Sequence, residues 1–431
     1  MTFEEITAEE FRDFAKKSPY KSFMQTPEIA RYREENGWTV YYLAAKYNKG
    51  IKAASMLVAK PTFLGKSTFI APGGPLLDLE DQPLTEFFIR SLKKYIKSHN
   101  GYVLHISPYY ELTERDRHGN QISDGFNHQS ALENLKNLGF VELKDASQPR
   151  YMYALDINGK TPEELMKDFK SNTRGHIRKA EKMGVKIREL KKEELGIFKE
   201  ITESTSLRRD FEDKPLKYYE EMYDLFVPRG EALFLLAEVE APENALSRSI
   251  NGNGPFTERP SPVTTGARER SEKDAFLAPP MAETGNTPSE TVLRRREQEE
   301  RSAARNDGPA QACRGSSISA SLPLSVAMFM LYGEEVVYLF SGSDEKYMKD
   351  YNAQYAIQWH MIKYASEKHF KRYNFYGIHG LPKEGQTDGV YEFKKGFGGQ
   401  VIEMIGTYEL PIDHKFYQLK NFLKKIKGTK K

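Results

Sequence analysis

One segment of the sequence mixes cationic and aromatic side chains in a way that suits a phosphorylated ligand. The segment TSLRRDFEDKPLKYYEEMY (205–223) combines Arg208, Arg209 and Lys214 with Tyr218 and two further tyrosines. Aromatic rings stack on sugars or bases, and Arg and Lys side chains bind phosphate oxygens. The pattern predicts a site for a sugar or nucleotide that carries phosphate, although a partly buried helix with a stripe of tyrosines explains it equally well.

A second candidate site is the glycine-rich segment GQTDGVYEFKKGFGG (385–399), which contains Phe393, Lys394 and Lys395. Glycine permits close approach of the backbone to a ligand, and lysine can stabilise an anion that forms during a reaction. A flexible surface hairpin explains the glycines but not an aromatic–cation pair fixed between them. We predict an anion-binding segment here, with no helix after residues 386–391.

A third segment, KDFKSNTRGHIRKAEKMGVKIRELKK (167–192), predicts a basic helix over residues 172–183 and a short strand after it. Its cations include Lys170, Arg174 and Arg178. They could simply form a solvated helix face. They could instead bind a phosphate-rich ligand near the N-terminus of the helix, where the helix dipole adds to the side-chain charges.

Several familiar catalytic motifs are missing from the sequence. There is no P-loop, no G-x-G-x-x-G after a strand, no H-E-x-x-H and no G-x-S-x-G. None of the nine histidines has another histidine four residues away, and the single cysteine, Cys313, excludes an internal disulfide and a multi-cysteine metal site. We therefore predict neither a metal nor a cofactor.

Composition and charge are typical of a soluble protein with sizeable cores. The 431 residues are 39% hydrophobic and 29% charged, and the length predicts two or three domains. A net charge of +3 gives no bulk attraction for nucleic acid, so any polyanion site must be local. The N-terminus does not resemble a signal peptide, and no run approaches the ~18–20 apolar residues of a membrane span. Together with the lone thiol, this predicts a cytoplasmic protein.

Residues 241–321 differ sharply from the rest of the chain. They contain one lysine, Lys273, and no tyrosine, and they are rich in Pro, Gly, Ser, Ala and Arg. Such a composition cannot offset the entropy lost on ordering, so we predict a disordered insertion of foreign character. Only the charged segment 291–305 has the pattern of a helix.

The elements that must position these sites form a repeat once the insertion is set aside. The order strand, strand, strand, helix, strand occurs twice. The first copy has strands at 39–46, 51–60, 67–75 and 102–108 and a helix at 84–99. The second copy has strands at 232–239, 325–333, 335–343 and 372–378 and a helix at 352–369. Helices are also predicted before each copy, at 26–36, 192–205 and 216–226. The fold class is therefore α/β (α+β) with two tandem lobes.

The chain resembles the FemABX (Fem/Mur) family of aminoacyltransferases that build the interpeptide bridge of peptidoglycan. The segments that carry the resemblance are SFMQTPEIARYREENGW (22–38), IAPGGPLLD (70–78), SNTRGHIRKAEKMGVKIREL (171–190), KPLKYYEEMY (214–223), VVYLFSGS (336–343), NFYGIHG (374–380) and GVYEFKKGFGG (389–399). The resemblance implies two acetyltransferase-like (GNAT) domains, residues 1–150 and residues 151–240 with 322–431. The insertion at 241–321 then stands where relatives carry a helical arm.

The resemblance also implies an activity and its partners. Family members move an amino acid, Ala, Ser or Gly, from aminoacyl-tRNA to an amine of the stem peptide in UDP-MurNAc-pentapeptide or lipid II. Those molecules are the expected partners, and the sequence is compatible with peripheral contact at the inner membrane leaflet.

Site residues follow from the same resemblance, position by position. The expected ligand contacts are Arg33, Tyr102, Lys214, Tyr218 and Tyr338. Phe393 and Lys394 match the pair at the acyl-donor end, where Lys394 would stabilise the oxyanion or hold a terminal phosphate. The predicted contacts to tRNA or phosphate are Lys170, Arg174, Arg178 and Lys395. Ser107 departs from the family pattern, because many relatives have an aspartate there.

Two other functions stay open at this point. An acyl-CoA-dependent N-acyltransferase on the same fold needs a Q/R-x-x-G-x-G/A loop before a helix, and the nearest match, residues 386–391, ends in tyrosine. A non-enzymatic protein that binds a polyanion would need only the basic helix and no cleft between two domains.

Overall fold

The computed structural model describes residues 1–143, 148–209, 212–240, 321–381 and 388–428. The predicted insertion lies outside the described residues except for Ser321, which begins a strand. The helix predicted at 291–305 and Cys313 lie outside them as well.

The chain alternates between fifteen strands and twelve α-helices in its described part. The strands are β1 Thr2–Glu5, β2 Thr39–Tyr47, β3 Gly50–Pro61, β4 Ser67–Gly73, β5 Gly101–Pro108, β6 Glu111–Arg115, β7 Val141–Glu142, β8 Tyr151–Asp156, β9 Lys186–Glu189, β10 Ala232–Glu240, β11 Ser321–Tyr332, β12 Glu335–Ser343, β13 Arg372–Ile378, β14 Gln400–Met404 and β15 Tyr408–Pro411. The helices are α1 Ala8–Lys17, α2 Pro27–Glu35, α3 Gln82–Ser98, α4 Gln129–Asn137, α5 Pro162–Asp168, α6 Ser171–Lys182, α7 Leu195–Arg209, α8 Leu216–Phe226, α9 Glu345–Tyr351, α10 Ala353–Glu367, α11 Gly389–Lys395 and α12 His414–Gly428. Both copies of the predicted repeat are present in the predicted order.

The strands form two sheets with the same internal pattern. The first has the order β1-β2-β3-β4-β5-β15-β7, and the second has the order β6-β14-β8-β13-β12-β11-β10-β9. Each contains one parallel pair, β4–β5 in the first and β12–β13 in the second, and the other neighbours are antiparallel. Parallel neighbours need a long crossover connection. Helix α3 makes it in the first sheet, and α9 and α10 make it in the second.

The two sheets exchange strands. β6 precedes the predicted boundary at residue 150, yet it pairs with β14 in the second sheet. β15 lies near the C-terminus, yet it pairs with β5 and β7 in the first sheet. We keep the division into two lobes as a proposal, in which each lobe takes one strand from the other part of the chain.

Three hydrophobic layers hold the sheets and helices together. On one face of the first sheet, Phe88 and Leu92 of α3 are fully buried, and Ile357 and Met361 of α10 are buried against the second sheet. Between the sheets, one core combines residues of both lobes, such as Trp38 with Phe198. Full burial of a large apolar side chain contributes about 1.5–3 kcal/mol, so this shared core resists separation of the lobes.

A buried polar network also crosses between the lobes. The Tyr109 hydroxyl donates to Glu335 at 2.7 Å, and the Glu335 carboxylate accepts from Arg372 Nε at 2.7 Å. Arg372 also donates to Glu111, and Asn374 Nδ2 donates to the Tyr109 hydroxyl at 2.9 Å and to Glu335 at 3.1 Å. Breaking one partner of such a network leaves a buried charge without compensation, so the network fixes β13 against β12, β6 and Tyr109, which follows β5.

Of the helices in the described residues, none combines the length and the apolar composition needed to cross a membrane.

Candidate active site

The parallel strands β12 and β13 separate along most of their length. Their ladder runs over three residue pairs and ends at Val337–Asn374. Beyond it, Tyr376 has a φ of +63°, and the pairing of β13 with β8 shifts register between Asn374 and Gly377. A left-handed φ at a bulky residue costs about 1–3 kcal/mol, so the surroundings must hold it. The Asn374 side chain does so, because its Oδ1 accepts from the Tyr376 N–H at 2.7 Å.

The separated strands open onto a cavity of about 960 Å³, which we call the large cavity. Its walls come from the ends of β12 and β13, the last turn of α7, the start of α10, and α11. The side chains that line it and can bind or react include Arg208, Arg209, Tyr338, Tyr355, Phe393 and Lys394. The polar and aromatic lining suits a ligand with both ring and charged groups.

Lys394 is a buried lysine at the wall of the large cavity. Its side chain is only 6% exposed, and Nζ donates to the carbonyl oxygens of Gly377 and, at 3.4 Å, Tyr376. Burial lowers the pKa of Lys394 to about 7, and the Asp388 carboxylate opposes that shift. The side chain can therefore exchange a proton near neutral pH, a property expected of catalytic acids and bases.

The prediction of a segment without a helix around Lys394 was wrong. Residues 389–395 form α11, and the Asp388 side chain caps its start by accepting from the backbone N–H groups of Val390 and Tyr391. The glycines suggested a loop, whereas the aspartate before Gly389 is a standard helix-start signal that could have been recognised. Gln386 of the candidate pyrophosphate loop lies outside the described residues.

Two predicted aromatic residues line the same cavity. The Tyr338 hydroxyl donates to Ser341 Oγ, and burial raises the pKa of Tyr338. The Phe393 ring packs edge-on against Tyr355, with centroids 4.9 Å apart. Tyr338 and Phe393 thus stand on β12 and α11, on two different elements that border the cavity.

A smaller cavity of about 340 Å³ adjoins the large one, and we call it the small cavity. Arg33, Lys214 and Tyr218 all line it. Four residues line both cavities: Asp213, Leu339, Phe340 and Tyr376. The structure therefore brings three predicted ligand contacts together, next to the cavity that holds Tyr338, Phe393 and Lys394.

Arg33 is a buried cation in the small cavity. Its side chain is 2% exposed, and its guanidinium carbon lies 5.1 Å from the Trp38 ring centroid and 5.6 Å from that of Tyr32. Burial lowers the pKa of Arg33, but an arginine stays charged in proteins. A positive charge in a poorly solvated cavity attracts an anion more strongly than one in water.

The helix that carries Arg33 is fixed by the segment before it. Gln25 is fully buried and bonds three backbone groups: its Nε2 donates to the oxygens of Met56 and Pro72, at 3.0 and 2.7 Å, and its Oε1 accepts from Met56 N at 2.8 Å. A Cβ at Gly74 would lie 2.6 Å from Gln25 Cδ, so this position requires glycine. Thr26 then caps α2, accepting from Ile29 N at 3.3 Å.

Asp213 anchors the segment that carries Lys214 and leads into the helix of Tyr218. The Asp213 carboxylate accepts from the Tyr219 hydroxyl at 2.6 Å and from Lys199 Nζ and Thr202 Oγ1, each at 2.8 Å. These bonds join the segment before α8 to α7. Burial raises the pKa of Tyr218, so its phenol stays neutral and can donate a hydrogen bond.

Tyr102, a predicted ligand contact, lies outside both cavities. It lies on β5, with its ring edge-on to Phe416 of α12 at 5.0 Å. Its hydroxyl accepts from Thr68 Oγ1 at 3.0 Å and from Lys420 Nζ. The residue anchors the C-terminal helix, because β5 meets that helix rather than the second lobe.

The four predicted tRNA or phosphate contacts lie outside both cavities: Lys170 stands just before α6, Arg174 and Arg178 lie on it, and Lys395 ends α11. Lys170 Nζ pairs with Glu392 at 3.1 Å, and Arg174 donates to the carbonyl oxygens of Lys167, at 3.2 Å, and Phe169. Lys395 Nζ lies 5.4 Å from the Tyr391 ring centroid, and Arg178 is exposed. The cluster borders the helix that carries Lys394, but part of its charge is already used in contacts within the protein.

Sequence reasoning missed the residues that border the cavities or hold the backbone around them. Asp213 and Tyr376 border both cavities, and Asn374 holds Tyr376 in place. No local pattern marks these roles, although the aromatic–cation segment did include Arg208 and Arg209, which line the large cavity. Within the described ranges, no group of three or more His, Cys, Asp or Glu residues is placed to bind a metal ion.

Comparison with known proteins identifies the family. A sequence model described as the FemAB family matches residues 6–425. The chain belongs to the FemAB family. It is 30% identical over 450 residues to aminoacyltransferase FemA of Staphylococcus aureus strain bovine RF122 / ET3-1, covering 99% of both chains, and equally similar to FemA of strain N315. A crystal structure of FemX superposes with a TM-score of 0.69 at 23% identity, over 97% of this chain and 99% of that chain.

Membership in the FemAB family confirms the predicted family and makes the chain an aminoacyltransferase. The likeness to FemX, together with the two sheets and the helices that pack on them, confirms the predicted α/β class. Among the described residues of this FemAB protein, a buried arginine, a lysine of lowered pKa and several aromatic rings come together at the two adjoining cavities.

Proposed function

We propose that this FemAB protein transfers an amino acid from aminoacyl-tRNA to the stem-peptide amine of a peptidoglycan precursor, and so helps to build the interpeptide bridge. One observation carries the proposal: a cavity with a buried cation and tyrosines shares a wall with a cavity that holds a lysine of lowered pKa. The transfer needs two ligands that meet, one for each cavity. We place the reaction in the cytoplasm, where charged tRNA is made.

The small cavity is the proposed site of the precursor's phosphates. Arg33 supplies a buried charge, Lys214 a second cation and Tyr218 a neutral hydroxyl donor. A pyrophosphate carries the charge and the oxygen acceptors that such donors bind best. The stem peptide would then extend past the shared wall at Tyr376 towards Lys394.

Lys394 is the proposed proton acceptor. A neutral lysine has two N–H groups and one lone pair, and the two carbonyl oxygens of Tyr376 and Gly377 can accept the two N–H groups. The lone pair then takes a proton from the attacking ammonium group, whose ordinary pKa is near 10.4. A pKa of about 7 suits this role at neutral pH.

The remaining steps follow from ester aminolysis. The freed amine bonds to the ester carbonyl carbon, and the Lys394 cation lies near the oxyanion that forms. The bond from that carbon to the tRNA ribose oxygen breaks, and the ribose oxygen takes the second proton of the amine. Lys394 finally releases its proton to solvent. The ester is already reactive, so alignment of the two substrates supplies much of the acceleration.

The donor end of the tRNA is assigned to the large cavity. Its rings, Tyr338, Tyr355 and Phe393, can stack on the terminal adenosine, and Arg208 and Arg209 can bind its phosphate. The cluster of Lys170, Arg174, Arg178 and Lys395 would contact more distant phosphates. In this proposal the space beside Lys394 decides which amino acid, Ala, Ser or Gly, is transferred.

An acyl-CoA donor fits the structure less well. The Asp388 carboxylate occupies the N-terminus of α11 by accepting two backbone N–H groups, so the place where a pyrophosphate would bind carries a negative charge. The crossover helix α10 begins after the sequence MKDYN (348–352), which has no glycine.

The test is a transfer assay with purified protein. Radiolabelled alanyl-, seryl- and glycyl-tRNA, and a radiolabelled acyl-CoA in their place, are offered in turn with UDP-MurNAc-pentapeptide or lipid II, and labelled precursor is separated and counted. Transfer from at least one charged tRNA is expected. Transfer only from acyl-CoA, or binding of tRNA with no transfer to either precursor, would contradict the proposal.

A further inference from the structure

Exposed hydrophobic side chains are concentrated on two neighbouring segments outside both cavities. Ten large hydrophobic residues are exposed in the described part of the chain, and half of them lie on the turn after β3 and on α12. These five are Phe63, Leu64, Leu419, Phe422 and Leu423. Exposed apolar residues that cluster, instead of being scattered singly, indicate an interaction surface.

The two segments are joined to each other and to the first lobe. The Phe63 ring lies 5.0 Å from the Phe416 ring of α12, and Lys66 Nζ pairs with Asp413 at 2.8 Å. Phe416 in turn packs against Tyr102 and its neighbours on β5. The helix is therefore anchored through one side.

The outward side of α12 has the spacing of an apolar stripe. Leu419, Phe422 and Leu423 stand at positions i, i+3 and i+4, so they share one face of the helix. Phe422 is 61% exposed, although exposure of a phenylalanine ring to water is unfavourable in free energy. We call this stripe, together with Phe63 and Leu64, the apolar patch.

The charge around the apolar patch selects its partner. The sequence of α12, HKFYQLKNFLKKIKG, has five lysines and no Asp or Glu, while the whole chain carries a net charge of only +3. One of the five, Lys420, bonds to Tyr102 on the anchored side, and the positive charge of the helix does not depend on it. A symmetric contact with a second copy of this chain would bring two such lysine-rich helices together, and like charges repel. A partner that is both apolar and anionic fits better.

We propose that α12 and the turn at residues 63–65 form a docking surface for an anionic lipid bilayer. An amphipathic helix of this kind lies in the membrane plane, with its apolar face in the boundary between headgroups and acyl chains and its positive charge close to the anionic headgroups. Each lysine near an anionic surface contributes attraction that salt screens. Few apolar residues take part, so binding is reversible. The surface would bring the enzyme to a lipid-linked acceptor.

The experiment measures binding of the full-length protein to vesicles by co-sedimentation. Vesicles of phosphatidylglycerol and phosphatidylcholine are compared with vesicles of phosphatidylcholine alone, at low and high NaCl. The double variant Phe422→Gln/Leu423→Gln removes most of the stripe without touching the anchored side. Tyr47→Gln, which changes an exposed aromatic residue on β2 outside the patch, is the matched control.

Wild type and the Tyr47→Gln control should bind anionic vesicles, and the double variant should partition at least tenfold less. Binding should weaken several-fold at high salt. Three results would each overturn the proposal: no binding to anionic vesicles, equal binding to neutral ones, or equal binding by the double variant. A dimer of the wild type that the double variant loses, seen by sedimentation velocity, would assign the patch to a second copy instead. Transfer to soluble UDP-MurNAc-pentapeptide should be the same in all three proteins, so failure here is distinct from failure of the proposed reaction.

Discussion

Replacing Lys394 with methionine should make the protein more stable at acid pH and far less active. Burial lowers the pKa of Lys394 from 10.5 to about 7. Below pH 7 the lysine is protonated in both the folded and the unfolded state, so the folded state bears the full cost of a buried cation. That cost is about 5 kcal/mol, from the difference between the two pKa values.

The sign of the pH dependence follows from the lowered pKa. Between pH 7 and pH 10.5 the unfolded lysine is still charged while the folded lysine is neutral, so the cost falls as pH rises and disappears above pH 10.5. Methionine removes the charge at similar length, but the carbonyl oxygens of Tyr376 and Gly377 lose their donor, which costs about 1–3 kcal/mol. The Lys394→Met variant should therefore gain roughly 3 kcal/mol at pH 6 and almost nothing at pH 9.5.

Urea unfolding followed by circular dichroism at both pH values measures the difference. Lys395→Met is the neighbouring control, because its ammonium group pairs with Glu392 at 3.4 Å, and its substitution should not stabilise the protein on acidification. In the transfer assay, Lys394→Met should lower kcat at least 100-fold and leave KM for the precursor within twofold. In the wild type, kcat should rise with pH through about 7, and the variant should lack this ionisation. A variant with no pH-dependent gain in stability, or with kcat and KM changed equally, would refute the role assigned to Lys394.

Three further predictions separate the parts of the site. Arg33→Met should raise KM for UDP-MurNAc-pentapeptide about 10–100-fold with little change in kcat, because it removes a charged hydrogen-bond donor from the small cavity. Arg31→Met, on the exposed side of the same helix, should change neither constant in the same steady-state assay. Asn374→Leu should lower kcat about tenfold at constant KM and shift the pH at which kcat rises, because Asn374 holds Tyr376, whose carbonyl oxygen accepts from Lys394. An unchanged pH profile of kcat would limit Asn374 to a structural role. Tyr102→Phe should leave both kinetic constants unchanged and cost about 1 kcal/mol in urea unfolding, through its lost hydrogen bonds to Thr68 and Lys420.

The secondary structure was readable from the sequence because each signal was local. The runs of Val, Ile, Tyr and Phe that predicted strands at 232–239 and 335–343 form β10 and β12 within one residue. The helix predicted at 26–36 forms α2 at Pro27–Glu35 with Thr26 as its cap, and such a start depends only on adjacent residues. The cationic and aromatic side chains at Arg33, Lys214 and Tyr218 were likewise visible as residue types.

The exchange of β6 and β15 between the sheets could not be predicted, because a strand's own sequence does not specify its partner. The position of Tyr102 followed from that exchange: β15 and α12 close over β5, so the tyrosine faces the C-terminal helix. The left-handed backbone at Tyr376 was equally invisible, since it depends on a hydrogen bond from a residue fixed by the network between the lobes.

The difference between the two parallel strand pairs explains why chemistry is expected in only one lobe. β4 and β5 stay paired from Ser67–Gly101 to Gly73–Pro108, so they leave no gap between them for a ligand. β12 and β13 pair over three residues and then separate into the large cavity. If the two lobes arose by duplication of one α/β unit, the copy with continuous β4–β5 pairing could keep the scaffold stable while the copy with β12 and β13 opened into a cavity. The open copy carries the strained backbone and the buried lysine, features that oppose stability, and the shared core packs it against the closed copy.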